Sequence, residues 1–303
     1  MKIKTTFLMI VPFFCSYGGF CQNNNYDTSV FWEIRRTPKS PPSYILGSYH
    51  IMDTSQMNFP IKTFTDLIDK CGSICLEVSG VTDTSNISKL EELMWLPDED
   101  KNIINRLDQE YYAKLFQILD SSKSLAGLKP LINELRPSII AWFISTDKRS
   151  KNKVDKSEFF YPDLYFEQYA RKKGYKVNQL ETIDKQLEML LMLNSTYDET
   201  LEVLKKTIDK YYAKDTLKVF SKYINQNLKW MKPYTNKDSA GNLDSNSRNK
   251  VMAAGIDSLL QRKRKSIFII IGAAHLPYNS GVLSRLAKKG YIIKPYFIDF
   301  TKP

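Results

Sequence analysis

The amino-acid sequence predicts an α/β fold: a central sheet built from two pseudo-symmetric β–GxxH–α–β units, with a large helical insertion between them. Both histidines of the chain, His50 and His275, stand in a Gly-x-x-His segment, and each segment follows an apolar run typical of a buried strand. Helical periodicity dominates the sequence between the two units. The 303 residues suffice for a full hydrophobic core, and we predict a single domain over residues 22–303.

The first unit begins with a predicted hairpin. Residues 30–35 alternate between apolar and polar side chains, a proline-rich turn follows, and residues 43–48 form a second strand that leads into His50. Pro60 opens a helix whose apolar side chains share one face. Residues 73–78 are almost continuously apolar, which predicts a buried strand that closes the unit.

The insertion is predicted to be mostly helical, with one strand at residues 175–180. The second unit closes the chain with a strand at 266–271, the segment around His275, a helix at 280–289 and a strand at 291–298. Helical periodicity is found at 86–95, 108–119, 131–145, 162–173, 183–192, 197–212, 215–231 and 245–261.

The first residues have the pattern of a secretory signal peptide. Two lysines precede the apolar segment 7–14, and Gly19-Phe20-Cys21 has the small-x-small pattern of a cleavage site. We predict that residues 1–21 are removed and that the mature protein is secreted or periplasmic. The apolar segment is too short to span a bilayer, so we expect no stable membrane span after cleavage. A lipoprotein is the less favoured alternative, because bulky Phe20 precedes Cys21.

Charge and cysteine content constrain the partners and the compartment. The formal net charge is +11, but the lysines are spread along the chain. A nucleic-acid-binding protein concentrates its basic residues on one element or motif, so we predict no nucleic-acid partner. Signal cleavage would leave Cys71 and Cys75. An oxidising compartment permits a disulfide between them, and two buried thiols explain the pair equally well.

Both histidines directly follow the carboxyl end of a predicted strand, the edge at which open α/β sheets form their sites. The preceding glycines, Gly47 and Gly272, permit a turn or a close backbone approach there. Imidazole is a common metal ligand and the usual proton-transfer group near neutral pH. A single histidine at such a position is more often a hydrogen-bonded structural residue than a ligand, but the repeated motif favours a functional role. We therefore expect the two units to bring both rings to one site.

Glu77 is the third candidate, because it is a carboxylate within an otherwise apolar strand. Burying a carboxylate is costly unless a cation compensates its charge; an exposed acid at the strand end is the alternative. Two histidines and one carboxylate are a familiar ligand set for a catalytic divalent metal with an open position for water. We predict His50, His275 and Glu77 as metal ligands, with Mn²⁺, Co²⁺ or Zn²⁺ as the cofactor.

Three further polar residues stand at positions where a site could use them. Arg248 lies in the last long predicted helix and is a fixed cation able to hold a substrate carbonyl or carboxylate; alone, it would also suit a charged surface. Asp163 and Glu181 stand close to predicted helix starts. Helix capping is the favoured explanation for both.

The sequence contains a series of short motifs in this order: Gly47-x-x-His50, Leu76-Glu77-Val78, Leu180-Glu181-Thr182 with Gln186, Arg248-Asn249, Gly272-x-x-His275-Leu276, Gly281-Val282-Leu283 and Gly290-Tyr291. Together these motifs resemble the TraB/PrgY/GumN family, and the resemblance covers about residues 32–297. The family includes the Tiki metalloproteases, whose two Gly-x-x-His motifs and a glutamate are regarded as a metal-dependent site. By position, the resemblance implies the same three ligands, with Arg248 and Asn249 as supporting catalytic residues.

The ligand set and the resemblance favour a metal-dependent hydrolase, most simply a peptidase, with a peptide or small-molecule substrate. A bound ion would activate water, Glu77 would act as ligand or base, and Arg248 would stabilise the developing oxyanion. The alternative is an envelope protein that binds haem or another ligand without turnover. A distantly related group of proteins binds haem, and His50 and His275 would then serve as axial ligands.

Overall fold

The protein is described by a computed structural model that covers residues 26–49, 52–53, 58–151, 159–212, 222–229, 245–262 and 266–300. The predicted signal peptide lies outside the described residues, and so does His50. All structural statements below concern the described residues.

The main sheet contains β1 (Phe31–Arg35), β2 (Ser43–Ser48), β4 (Ser73–Leu76), β6 (Lys176–Gln179), β7 (Phe268–Gly272) and β8 (Ile292–Pro295), and a second, two-stranded sheet contains β3 (Met52–Asp53) and β5 (Phe159–Phe160). The helices are α1 (Ile61–Cys71), α2 (Thr84–Leu93), α3 (Gln109–Asp120), α4 (Lys123–Ala126), α5 (Pro137–Lys151), α6 (Pro162–Lys172), α7 (Ile183–Leu191), α8 (Tyr197–Tyr212), α9 (Ser245–Arg262) and α10 (Val282–Lys288).

The six strands of the main sheet lie in the order β6-β4-β7-β2-β1-β8. Neighbours among β6, β4, β7 and β2 are parallel, whereas β1 is antiparallel to both β2 and β8. Every strand of this sheet except β1 therefore runs in the same direction, and their carboxyl ends meet at one edge. This is the edge at which α/β sheets form their sites.

The two predicted units are present and start from adjacent strands. The unit β2–α1–β4 crosses the sheet in one direction, and the unit β7–α10–β8 crosses it in the other. Because both crossovers join parallel strands, right-handed connections place α1 and α10 on opposite faces. Consistently, α1 contacts α6, whereas α10 contacts α9. The predicted α/β fold with a helical insertion is confirmed.

The central strands are buried on both faces, as expected for parallel strands covered by helices. Every residue of β2, β4 and β7 is buried. Aromatic rings fill the space between the sheet and α1 and α6: the ring of Phe31 lies 5.2 Å from that of Phe64, which in turn lies 5.8 Å from that of Phe166. This packing fixes the strand ends that carry the site.

The insertion packs a second hydrophobic core of its own. Its buried side chains come mainly from α3, α5, α7 and α8, and α5 and α8 form its most extensive helix pair. Helix α7 contributes Leu187 and Leu191 to this core. The same helix reaches the carboxyl edge of the main sheet, so it joins the helical layer to the site.

Some element boundaries differ from the sequence-based expectation. The helix predicted at 131–145 spans Pro137–Lys151 instead. Proline is well suited to the first turn of a helix, because an N–H group there would have no acceptor within the helix. The short helix α4 was not predicted. Of the helix predicted at 215–231, residues 222–224 are helical but 225–229 are not, so its predicted end is wrong; the other residues lie outside the described part.

The two cysteines that remain after the predicted signal cleavage are buried thiols that form no disulfide. Burial raises the pKa of Cys71 to about 12. The structure thus has two thiols rather than the alternative disulfide. Among the described residues, no helix has the length and apolar character needed to cross a membrane.

Candidate functional site

The ends of β2 and β7 bring the two Gly-x-x-His segments side by side. Ser48 is paired with Gly272 in the parallel ladder, two residues before His50 and three before His275. A Cβ atom on Gly47 would lie 3.0 Å from Cα of Ala273 and 2.4 Å from Cδ1 of Leu276. The close backbone approach expected at Gly47 is confirmed, while His50 itself lies outside the described residues.

His275 ends a short turn of 3-10 helix that follows β7, and its side chain is buried. Its Nδ1 atom lies 2.6 Å from Oδ1 of Asn249, whose Nδ2 donates to the carbonyl oxygen of Ser280 at 3.0 Å. Because that amide nitrogen donates to Ser280, the amide oxygen faces the ring and accepts from Nδ1–H. In the neutral form of the ring, Nε2 is then the unprotonated nitrogen, and it lies 3.7 Å from Oε2 of Glu77.

Glu77 directly follows β4 and is 6% exposed. Its Oε2 accepts the backbone N–H of Gly272 at 2.9 Å. Its Oε1 accepts from Nη2 of Arg248 at 2.6 Å and from Nε2 of Gln186 at 3.1 Å. The expected burial of this carboxylate is confirmed, and the alternative of an exposed strand-end acid is wrong.

Arg248, in the first turns of α9, compensates two buried carboxylates. Besides its bond to Glu77, it holds Glu181 with two hydrogen bonds, Nε to Oε1 at 2.8 Å and Nη2 to Oε2 at 2.7 Å. Such two-point contacts are among the strongest between charged side chains. Burial opposes the charge of Arg248, but the hydrogen bond to Glu181 and the charges of Glu77 and Glu181 outweigh it and raise the pKa of the guanidinium.

Glu181 does not cap a helix, and the sequence-based expectation of a cap is wrong. The N-cap of α7 is Thr182, whose side chain accepts from the N–H of Lys185. The Glu181 carboxylate instead binds Arg248 and accepts from Nε2 of Gln186 at 2.6 Å. The signal in the sequence is the motif Leu180-Glu181-Thr182 with Gln186, one of the motifs that carry the family resemblance.

Asp163 is not a helix cap either. The N-cap of α6 is Tyr161, and Asp163 lies in the first turn of the helix. Its Oδ1 accepts from the hydroxyl of Ser48 at 3.0 Å. Asp163 therefore attaches α6 to the end of β2, close in sequence to His50.

The structure thus brings together Glu77, Arg248, Asn249 and His275 of the predicted site residues. No cluster of three or more histidine, cysteine, aspartate or glutamate side chains able to hold a metal occurs in the described part of the chain. The full set of three ligands remains a prediction, because His50 is outside that part. Glu77 and His275 fit one ion: two ligands with bonds of about 2.1 Å lie at most about 4.2 Å apart, and their donor atoms are 3.7 Å apart.

Comparison with known proteins identifies a relative with a named activity. The chain is 22% identical over 321 residues to the metalloprotease TIKI2 of Danio rerio, and the match covers 88% of this chain and 60% of that relative. No solved structure matches the chain. The sequence profile of the TraB/PrgY/gumN family matches residues 30–295, nearly the whole described part. The chain therefore belongs to the TraB/PrgY/gumN family.

Proposed function

We propose that this protein is a metal-dependent hydrolase that cleaves peptide bonds. The observation that carries the proposal is the 3.7 Å separation between Nε2 of His275 and Oε2 of Glu77 at the carboxyl edge of the sheet. Asn249 sets the ring so that the nitrogen facing the carboxylate is an acceptor. Two buried acceptors at this distance are suited to share a cation.

The distant relative supports peptide bonds as the substrate class, since it is named a metalloprotease. The chain spans about 60% of that relative's length, so its activity is carried over only as part of this proposal. A peptide or another small molecule with a scissile carbonyl is the substrate that such a site would accept.

Each residue of the site has a part in this proposal. His275 and Glu77 hold the divalent ion, with His50 as the third ligand. When bound, the ion supplies Lewis acidity and an activated water. Asn249 keeps Nδ1 of His275 protonated, and Arg248 compensates the charges of Glu77 and Glu181. The side-chain hydrogen bonds described for Arg248 all go to these two carboxylates. We therefore assign it a role in supporting the site rather than in binding the substrate.

We also propose export. A signal peptide over residues 1–21 would place the mature protein outside the cytoplasm, in the periplasm or the medium. Mass spectrometry of exported protein should then show a first residue at or near Gln22. An intact Met1 in the exported fraction would contradict this.

The test compares metal content and cleavage in matched variants of the mature protein. Elemental analysis should find a stoichiometric divalent metal, and Mn²⁺, Co²⁺ or Zn²⁺ should support cleavage of some members of a peptide library that a chelator stops. His50→Ala, His275→Ala and Glu77→Gln should each abolish cleavage while the protein stays folded.

Glu167→Gln is the matched control for Glu77→Gln. Glu167 is also a buried glutamate that accepts from a backbone N–H, that of Gly80 at 2.8 Å, and from an arginine, Arg171. This variant should keep its metal and its activity.

Full activity in His275→Ala would refute the mechanism. Stoichiometric haem without a divalent metal would favour the haem-binding alternative.

A further inference from the structure

Gln186 joins the two buried carboxylates of the site through a single nitrogen atom. Its Nε2 donates to Oε2 of Glu181 at 2.6 Å and to Oε1 of Glu77 at 3.1 Å. An amide nitrogen carries two hydrogens, so each carboxylate receives one of them. The contact therefore fixes the two carboxylates relative to each other.

A neutral donor suits this position for an electrostatic reason. Glu77 and Glu181 share one cation, Arg248, and two buried carboxylates close together repel each other. A second cation here would neutralise the site and weaken its attraction for a metal ion. The Gln186 amide adds hydrogen bonds without adding charge.

The bonds also set the direction of the Glu77 carboxylate. Arg248 and Gln186 both hold Oε1, and Oε2 is then directed to the N–H of Gly272 and towards Nε2 of His275. If one of the two bonds to Oε1 were lost, the carboxylate could rotate about its last side-chain bond. The distance between Oε2 and His275 would no longer be fixed.

Gln186 stands on a helix that belongs to a different hydrophobic core from the sheet. Its neighbour Leu187 and nearby Leu191 are buried among the helices of the insertion, and α7 contacts both α2 and α5. The position of the Gln186 amide therefore depends on how the helical layer packs.

We infer that Glu181 and Gln186 are positioning residues, through which the helical layer holds the Glu77 carboxylate in the orientation that binds metal. This inference rests on the proposed function, in which Glu77 is a ligand. It assigns the insertion a part in forming the site, beyond covering the sheet.

The test removes the amide of Gln186 and compares it with an equivalent change elsewhere. Gln186→Leu preserves approximate volume and deletes both bonds. The matched control is Gln226→Leu: Gln226 also makes two side-chain bonds, donating to the carbonyl of Ile298 and accepting from Ser29, and it is more deeply buried than Gln186. If Gln186→Leu does not fold, Gln186→Ala takes its place.

The first measurement uses metal-free protein and follows hydrogen exchange of the Gly272 N–H group, which donates a hydrogen bond to Glu77. Exchange should be faster by about tenfold in the Gln186 variant, the change expected when a bond to a charged group is weakened. It should be unchanged in Gln226→Leu. Equal exchange in wild type and the Gln186 variant, or an equal increase in both variants, would overturn the inference.

The second measurement is titration with Mn²⁺ alone. Affinity should fall about 10–100-fold in the Gln186 variant, as for other residues that orient a metal ligand, and should stay at the wild-type value in Gln226→Leu. Unchanged affinity in the Gln186 variant would overturn the inference. If wild-type protein binds no divalent metal at all, the proposed function fails, and the exchange experiment still decides whether Gln186 positions Glu77.

Discussion

The side-chain oxygen of Asn249 lies 2.6 Å from Nδ1 of His275, and this contact decides which imidazole nitrogen faces Glu77. The amide itself is held by its bond to the carbonyl oxygen of Ser280. The position of α9 therefore determines, through Asn249, which nitrogen of the His275 ring carries the proton.

Replacement of Asn249 should therefore weaken metal binding without removing a ligand. In Asn249→Leu the ring loses the acceptor for Nδ1–H, and we expect Zn²⁺ affinity to fall about 10–100-fold, measured by competition with a chelating dye. Asn178→Leu is the control, because it deletes a similar bond from an asparagine amide to the carbonyl oxygen of Ile74 on β4. Equal affinity in Asn249→Leu and wild type would show that the contact does not prepare the ring.

Removal of Arg248 should strongly destabilise the fold. Arg248→Met leaves Glu77 and Glu181 buried without their cation, and breaking such a buried pair costs about 3–5 kcal/mol. The free energy of unfolding in urea should fall by that amount. Adding Glu181→Gln to this variant should restore part of the loss, because one uncompensated charge is then gone.

The exposed pair of Lys62 and Asp66 provides the comparison for Arg248. Lys62→Met should change the free energy of unfolding by less than about 1 kcal/mol, as for other surface ion pairs. A similar small effect in Arg248→Met would contradict the view that Arg248 holds the site together.

The close approach of Gly47 to the turn after β7 predicts a steric effect. In Gly47→Ala the new Cβ would lie 3.0 Å from backbone Cα of Ala273. We expect a loss of about 1–3 kcal/mol in the free energy of unfolding, typical of overpacking, together with weaker metal binding. Gly127→Ala is the control, since no atom lies within 4 Å of its added Cβ. Equal stability of the two variants would rule out the steric constraint.

Asp257 lies near the start of β8, at the edge of the sheet opposite the site. We predict that its contribution to stability depends on pH. A hydrogen bond from Lys289 is the main cause that lowers the pKa of Asp257 below its ordinary 3.8; burial opposes this, and bonds from Tyr291 and Gln261 add to it. The folded state therefore binds a proton less readily than the unfolded state. This stabilisation is complete above the ordinary pKa and is lost as pH falls through the lowered value.

Asp257→Asn should accordingly be less stable than wild type at neutral pH, and the difference should shrink as the pH is lowered from about 7 to about 2.5. Urea unfolding at several pH values measures it. Asp66→Asn, at an exposed position, should show little difference at any of them. If the stability difference between Asp257→Asn and wild type grew as the pH was lowered, the assigned lowering of the Asp257 pKa would be wrong.

The sequence predicts the sheet well because its strands are recognisable locally. Residues 44–46 and 267–271 are apolar and buried throughout, and parallel strands buried on both faces appear in a sequence as continuous apolar runs. Glu77 could be identified for the same reason, since a carboxylate within such a run needs a partner.

The partners of Glu77 could not be identified locally. Glu181 stands directly before a helix, where capping is the simplest explanation, and its contact with Arg248 joins residues far apart in the chain. The sequence around Arg248 has the same helical periodicity whether its side chain contacts a substrate or two carboxylates. Which of these it contacts depends on where α9 packs, and that is decided by the whole fold.

The pairing of β2 with β7 also has a consequence for how the chain folds. β7 lies between β2 and β4, although Tyr44 and its partner Phe268 come from nearly opposite ends of the sequence. During synthesis, the two early strands lack their central neighbour until almost the whole chain has left the ribosome. Such distant contacts slow folding and leave apolar strand edges open to aggregation. A chain stopped before residue 268 should therefore need a chaperone to remain soluble, because the strand at the centre of its sheet is still missing.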